Sequence, residues 1–81
     1  NENNIAVTAQ IAGTFYRAPS PDADPFVKVG QTVKKGDTLG LLEAMKMMSN
    51  VVSPADGIVK EIPVDNATLV SYGAPLFYIS E

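Results

Sequence analysis

Val27-Lys28-Val29-Gly30-Gln31-Thr32-Val33-Lys34-Lys35-Gly36-Asp37-Thr38-Leu39 returns 37 residues later as Val64-Asp65-Asn66-Ala67-Thr68-Leu69-Val70-Ser71-Tyr72-Gly73-Ala74-Pro75-Leu76. Val27, Val33, Gly36 and Leu39 are answered by Val64, Val70, Gly73 and Leu76. Upstream, Gly13 in Ala12-Gly13-Thr14-Phe15 is answered by Gly57 in Asp56-Gly57-Ile58-Val59 at a shift of 44, so the first copy holds seven extra residues between Gly13 and Val27. The expectation is two similar halves of one small β domain about an approximate two-fold axis. Gly36 and Gly73 should each supply a positive φ at a turn. Gly30 should do the same, but its counterpart is Ala67. Alanine is disfavoured in the left-handed region, so neighbouring Asn66 is expected to carry the positive φ instead.

No segment has a helical period. Ile5, Val7, Ala9 and Ile11 alternate with Ala6, Thr8 and Gln10, the pattern of a half-buried strand. Further strands are expected at Gly13 to Arg17, Phe26 to Val29, Thr38 to Glu43, Asn50 to Ser53, Gly57 to Val64 and Ala74 to Ser80. Pro63 lacks a ladder donor and belongs at a strand end or on an edge. Short strands at this spacing point to an all-β, antiparallel sandwich or barrel.

Composition removes several classes of function. At 81 residues the chain is one small domain, too small for a deep pocket that closes around a substrate. Six basic and nine acidic residues give a net charge of −3, which argues against nucleic acid as a partner. There is no cysteine and no histidine, so the common nucleophile–base pairs and thiolate or imidazole metal sites cannot be assembled. No run of about eighteen apolar residues could form a membrane-crossing helix, and no membrane partner is expected. Asp22 and Asp24 are closely spaced acids but lie in a proline-rich stretch that reads as a solvated loop. Asn1 to Asn4 read as a linker remnant of a longer protein, with the domain proper at 5–81.

The seven extra residues fall within Ala18-Pro19-Ser20-Pro21-Asp22-Ala23-Asp24-Pro25, which holds three of the six prolines. Proline fixes φ and withholds a donor, so this loop is expected to be extended and stiff. It is either a tolerated surface insertion or a projecting arm, and composition favours the former.

Lys46 lies in Glu43-Ala44-Met45-Lys46-Met47, between the apolar runs Leu39-Gly40-Leu41-Leu42 and Val51-Val52. If those runs pair as a hairpin, the tip falls on Met45-Lys46 and the amine points away from the protein. A hairpin lysine is usually only a solubilising charge. Methionine on both sides, beyond the body of the sheet, marks instead a surface that a partner reads. Lys34-Lys35-Gly36-Asp37 has the composition of a plain polar turn.

Glu43-Ala44-Met45-Lys46-Met47 resembles the biotinylation motif of biotinyl (biotin carboxyl carrier) domains, and the resemblance runs from about Val7 to Ile79. It implies a biotinyl/lipoyl barrel-sandwich hybrid: a flattened antiparallel barrel of two four-stranded sheets with pseudo-two-fold symmetry. Ala18 to Pro25 resembles the thumb of the carrier of bacterial and plastid acetyl-CoA carboxylase, which carriers of other carboxylases generally lack, so Ala18, Pro19, Ser20, Pro21 and Asp22 are candidate thumb contacts for biotin. Ala18 departs from the hydroxyl residue that such carriers often have there. The resemblance implies biotin carried covalently on Lys46, with Glu43, Ala44, Met45 and Met47 read by a biotin protein ligase. It implies a carrier, not an enzyme, that serves partner biotin carboxylase and carboxyltransferase subunits as malonyl-CoA forms for fatty acid synthesis. It also implies the bacterial cytoplasm or the plastid stroma. Lipoyl domains share the hairpin lysine but usually place Asp before it and Ala after it. A lipoyl carrier and an unmodified docking module are the competing readings.

Overall fold

The computed structural model describes residues 4–81. Its strands are β1 (Asn4–Thr8), β2 (Gly13–Tyr16), β3 (Thr32–Val33), β4 (Thr38–Ala44), β5 (Met47–Val52), β6 (Gly57–Glu61), β7 (Thr68–Val70) and β8 (Pro75–Ser80), with no helix among the described residues. They form two four-stranded sheets, ordered β1-β8-β6-β3 and β5-β4-β2-β7. Every pairing is antiparallel. The repeat maps one sheet onto the other strand by strand, and its two-fold character is written in the hydrogen bonds. Gly36 N–H donates to Ser53 O at 2.8 Å, and Gly73 N–H donates to Ala9 O at 2.7 Å. Gly30 N–H donates to Val59 O and Ala67 N–H to Phe15 O, both at 2.7 Å. Each donor pair is related by the shift of 37 and each acceptor pair by the shift of 44. Each half therefore completes the other.

The core follows the same pairing. Leu39 and Leu76, Val33 and Val70, Val7 and Val51, and Ala9 and Ser53 are all buried. Fully burying each Val or Leu stabilises the fold by about 1.5–3 kcal/mol. Phe15 and Phe77 meet edge to face at 5.5 Å and 75°. The counterpart of Phe77 is Gly40, where a Cβ would lie 2.7 Å from Phe15 Cε1. The half that carries Gly40 thus makes room for its own Phe15 ring, whose counterpart in the other half is the smaller Val59. Buried Ser53 satisfies its hydroxyl by donating to Ala55 O at 2.6 Å.

Several expectations need correction. Ala67, not Asn66, carries the positive φ, at 61°. Asn66 is occupied otherwise, because its Oδ1 accepts from Arg17 N–H at 2.7 Å. The first strand stops at Thr8, since Ala9 turns into the crossing bonds with Ala74 and Gly73, and Ile11 is 40% exposed. Phe26 to Val29 is not a strand; pairing begins at Thr32 and Val33 instead. The short β7 was not expected at all. Strand β6 ends at Glu61, which leaves Pro63 beyond it. Of the linker expected at 1–4, residues 1–3 lie outside the described residues, whereas Asn4 pairs with Ser80. Gly30, Gly36 and Gly73 all have positive φ, as expected.

Chain direction sets the two ends of the molecule apart. Strand β1 runs from the Asn4–Ser80 pair to the Thr8–Pro75 pair. Residues 9–12 then cross to Gly13, where an added Cβ would overlap Glu43 O and meet the Ala44 side chain. The β4–β5 hairpin tip therefore lies at the pole opposite the Asn4–Ser80 pair.

Candidate functional site

Strands β4 and β5 pair from Thr38–Val52 through to Ala44–Met47, which leaves Met45 and Lys46 as a two-residue turn. Both have positive φ, 52° and 65°. That is the requirement of a type I′ turn, whose twist matches the strands it joins. Asn-Gly or Asp-Gly normally fills such a turn, so Met-Lys here holds two non-glycine residues against their preference. Backbone strain of this kind is characteristic of functional positions. Met45 is 94% exposed, Met47 70% and Met48 52%, and Lys46 is exposed beside them. Nothing in the core holds these methionines, and Met47 belongs to β5 rather than lying wholly beyond it.

Behind the tip, Thr14 pairs with Glu43 and Tyr16 with Leu41. Tyr16 and Glu43 thus share the outer face of the sheet, and Tyr16 Oη donates to Glu43 Oε1 at 3.1 Å. That bond, then desolvation and the repulsion of the carboxylate charge, raise the Tyr16 phenol above its ordinary value. The phenol stays neutral and the carboxylate has a fixed donor.

The loop 18–25 is not extended throughout. Phe26 N–H donates to Arg17 O at 2.8 Å and closes its base, while Ala23 N–H donates to Ser20 O at 3.1 Å and folds its tip. The loop leans over the sheet and shares with it a groove of about 440 Å³. Ala18, Pro19, Ser20 and Pro21 form one wall; Tyr16, Glu43 and Met48 form the floor beside Asn66 and Ala67. Asp22 does not line the groove. The structure therefore joins Glu43 with Ala18 to Pro21, while Met45 and Lys46 on the turn, and the Ala44–Met47 pair that closes it, stay at the projecting hairpin tip. Sequence reading did not single out Tyr16, Met48 or Asn66 for this site. For Tyr16 a signal was available: its counterpart in the other half is Lys60, a break in the repeat.

The groove suits a small bicyclic ring with a polar edge. Its prolines, alanines and methionine offer apolar contact, and Ser20, Asn66 and Glu43 offer hydrogen bonds. No cluster of His, Cys, Asp or Glu able to hold a metal occurs among the described residues. A second groove, of about 320 Å³, lies between the edge strands β1 and β5 and includes neither Lys46 nor any charged residue.

A family model described as "Biotin-requiring enzyme" matches residues 6–79. The biotin carboxyl carrier protein of acetyl-CoA carboxylase from Pseudomonas aeruginosa is 47% identical over 77 residues, covering 95% of this chain and 49% of that protein. The chloroplastic biotin carboxyl carrier protein of acetyl-CoA carboxylase 1 from Arabidopsis thaliana is 44% identical over 73 residues, covering 90% of this chain and 26% of that protein. The chain thus spans about half the length, or less, of the curated relatives it matches. Among solved structures, a single-chain, multi-domain long-chain acyl-CoA carboxylase superposes with a TM-score of 0.84 at 26% identity, covering 99% of this chain and 7% of that one.

Proposed function

The chain belongs to the biotin-requiring enzyme family, and from that membership we propose that it is a carrier whose Lys46 ε-amine is the attachment point for biotin. The observation that carries this reading is Lys46 itself. It stands on a tight type I′ turn between two exposed methionines, at the pole away from the Asn4–Ser80 pair. A catalytic lysine needs a pocket and a neighbouring base; this one has solvent around it.

In this reading a biotin protein ligase recognises Glu43, Ala44, Met45 and Met47 on the folded tip and presents an activated biotinyl adenylate. The Lys46 amine attacks its carbonyl, an amide forms, and AMP leaves. Free lysine is protonated near neutrality, so the ligase must take the proton. The charge of Lys46 is lost, and the chain goes from −3 to −4. Bound biotin supplies a ureido nitrogen that carries a carboxylate between partner subunits. Lys46 provides a flexible tether, which raises the effective concentration at two successive active sites. The partners proposed are a biotin carboxylase, which loads the carboxylate, and a carboxyltransferase, which passes it to acetyl-CoA. Names of relatives support acetyl-CoA carboxylase, and their bacterial and chloroplast origins support cytoplasm or plastid stroma.

Pro19 and Pro21, with Ser20 and the backbone around Ala18, would cover the biotin ring when the tether is idle. Ala18 offers no hydroxyl, so hydrogen bonding there falls to the backbone, Ser20 and Asn66. Asp22 lies outside the groove and is given no contact.

Intact-mass measurement after incubation with biotin and a biotin protein ligase tests the proposal. One biotinyl addition is expected, with none for Lys46→Arg. Addition only with a lipoyl ligase would favour a lipoyl carrier, and none with either would favour a docking module.

A further inference from the structure

We infer that Tyr16 is a positioning residue that holds the Glu43 carboxylate on the face of the sheet, off the Lys46 ammonium, so that a ligase meets both groups unpaired. The inference rests on the carrier reading above and adds a residue to it. Two observations support it. Tyr16 Oη donates to Glu43 Oε1 at 3.1 Å, across strands 27 residues apart. In the sequence Glu43 precedes Lys46 by three residues around a tight turn, and both long side chains are exposed. With no other tie, an exposed carboxylate three residues from an ammonium across a tight turn would spend part of its time paired with it. Such a pair would neutralise the carboxylate that the ligase reads and hold the nucleophile in its protonated form.

The pseudo-symmetry supplies an internal control. At the opposite pole the counterparts of Tyr16 and Glu43 are Lys60 and Ser80, which cannot make this bond. Gly13 opposes Val70 as Gly57 opposes Val33, but β6 and β8 shift register between Val59 and Glu61, whereas β2 and β4 pair regularly through Tyr16. The second half thus folds without such a bond, and the regular pairing at Tyr16 belongs to the first half alone. The Tyr16–Glu43 bond is found in the half that carries the lysine. Tyr16 also forms part of the floor of the thumb groove, so the same side chain links the recognition tip to that groove.

The test is steady-state biotinylation of the wild type, Tyr16→Phe, Glu43→Gln and the double variant, each first shown to melt cooperatively. Tyr16→Phe is expected to lower kcat/KM by about three- to tenfold, mostly through KM, as fits the loss of a bond to a charged acceptor at an exposed site. In the Glu43→Gln background the same change should cost nothing further, because no carboxylate remains to be positioned. The Lys46 Cε–Hε NMR signal should move with added NaCl in Tyr16→Phe but not in wild type, as the released carboxylate pairs with the ammonium. Wild-type rates in Tyr16→Phe, or an equal loss in both backgrounds, would overturn the inference while leaving the carrier reading intact. A wild type that gains no mass would overturn the carrier reading itself.

Discussion

The amide of Ala67 donates to the carbonyl of Phe15 at 2.7 Å, the length at which Gly30 donates to Val59 in the other half. To make that bond Ala67 adopts φ 61°, whereas Gly30 reaches φ 94° as a residue without a Cβ. The two halves need the same backbone shape, and only one was given the residue that adopts it freely. Asn66, one residue earlier, keeps an ordinary φ, and its side chain accepts from Arg17 N–H at the base of the loop 18–25.

Ala67→Gly is therefore expected to stabilise the domain. Relief of about 1–2 kcal/mol of left-handed strain is partly offset by glycine's greater freedom in the unfolded chain, about 0.4–1 kcal/mol. The net gain of about 0.5 kcal/mol should raise Tm by about 2–4 °C in a domain of this size. Thermal melts followed by circular dichroism check it; a lower Tm would show that the Ala67 methyl group contributes more than its strain costs.

Met45→Gly separates stability from recognition. Met45 has φ 52° and is 94% exposed, so its side chain gives the fold little and its backbone works against it. The variant should be as stable as wild type or more so, by up to about 1 kcal/mol. Its rate of biotinylation should nevertheless fall by about tenfold or more, since an exposed apolar anchor is lost. Parallel melts and single-turnover mass measurements distinguish the two effects.

Replacing Ala18 to Pro25 with Asn-Gly should leave the sandwich intact. The Phe26 N–H to Arg17 O bond already has the geometry that a two-residue turn closes. The variant should still be biotinylated on Lys46, because the thumb is separate from the turn. Biotin bound to it should tumble more freely by NMR, and the carried carboxylate should be lost to water sooner. Unchanged mobility together with unchanged carboxylase turnover would refute the covering role.

Alkaline pH should remove whatever the Tyr16–Glu43 bond contributes. The folded state favours the neutral phenol, so the contribution is complete below the ordinary value of 10.0 and is lost as pH rises through the higher folded value. The Tm difference between wild type and Tyr16→Phe should hold steady up to about pH 9 and shrink above about pH 10. Spectrophotometric titration of Glu43→Gln should show Tyr16 ionising at lower pH than in wild type.

Much of this was legible in the chain because it depends on residue type at fixed spacing. Repeated Val, Gly and Leu fixed the two halves, and Leu39 to Leu42 facing Val51 and Val52 put Met45 and Lys46 on a tip. Short segments were harder. Thr32–Val33 and Thr68–Val70 are too brief to show alternation, and they are strands only because β6 and β2 offer edges to pair with. Phe26 to Val29 has strand composition, yet it turns inward at Val27 to serve the core. The proline-rich loop read as extended because proline restricts φ; the bonds from Ala23 and Phe26 that fold it come from neighbours in space.

The sequence by itself determined the architecture and singled out the lysine proposed as the attachment point, since repeat spacing, missing His and Cys, and Met-Lys-Met are local facts about the chain. Only the tertiary structure decided that Tyr16 reaches Glu43, that the thumb and the hairpin share one groove, and that Ala67 rather than Asn66 bears the strained turn. Those outcomes depend on which segments become neighbours across sheets. Arg17 claims the side chain of Asn66 from 49 residues away, and Tyr16 reaches Glu43 over 27. Competition for a single acceptor or donor is settled by distance in space, which the sequence does not record.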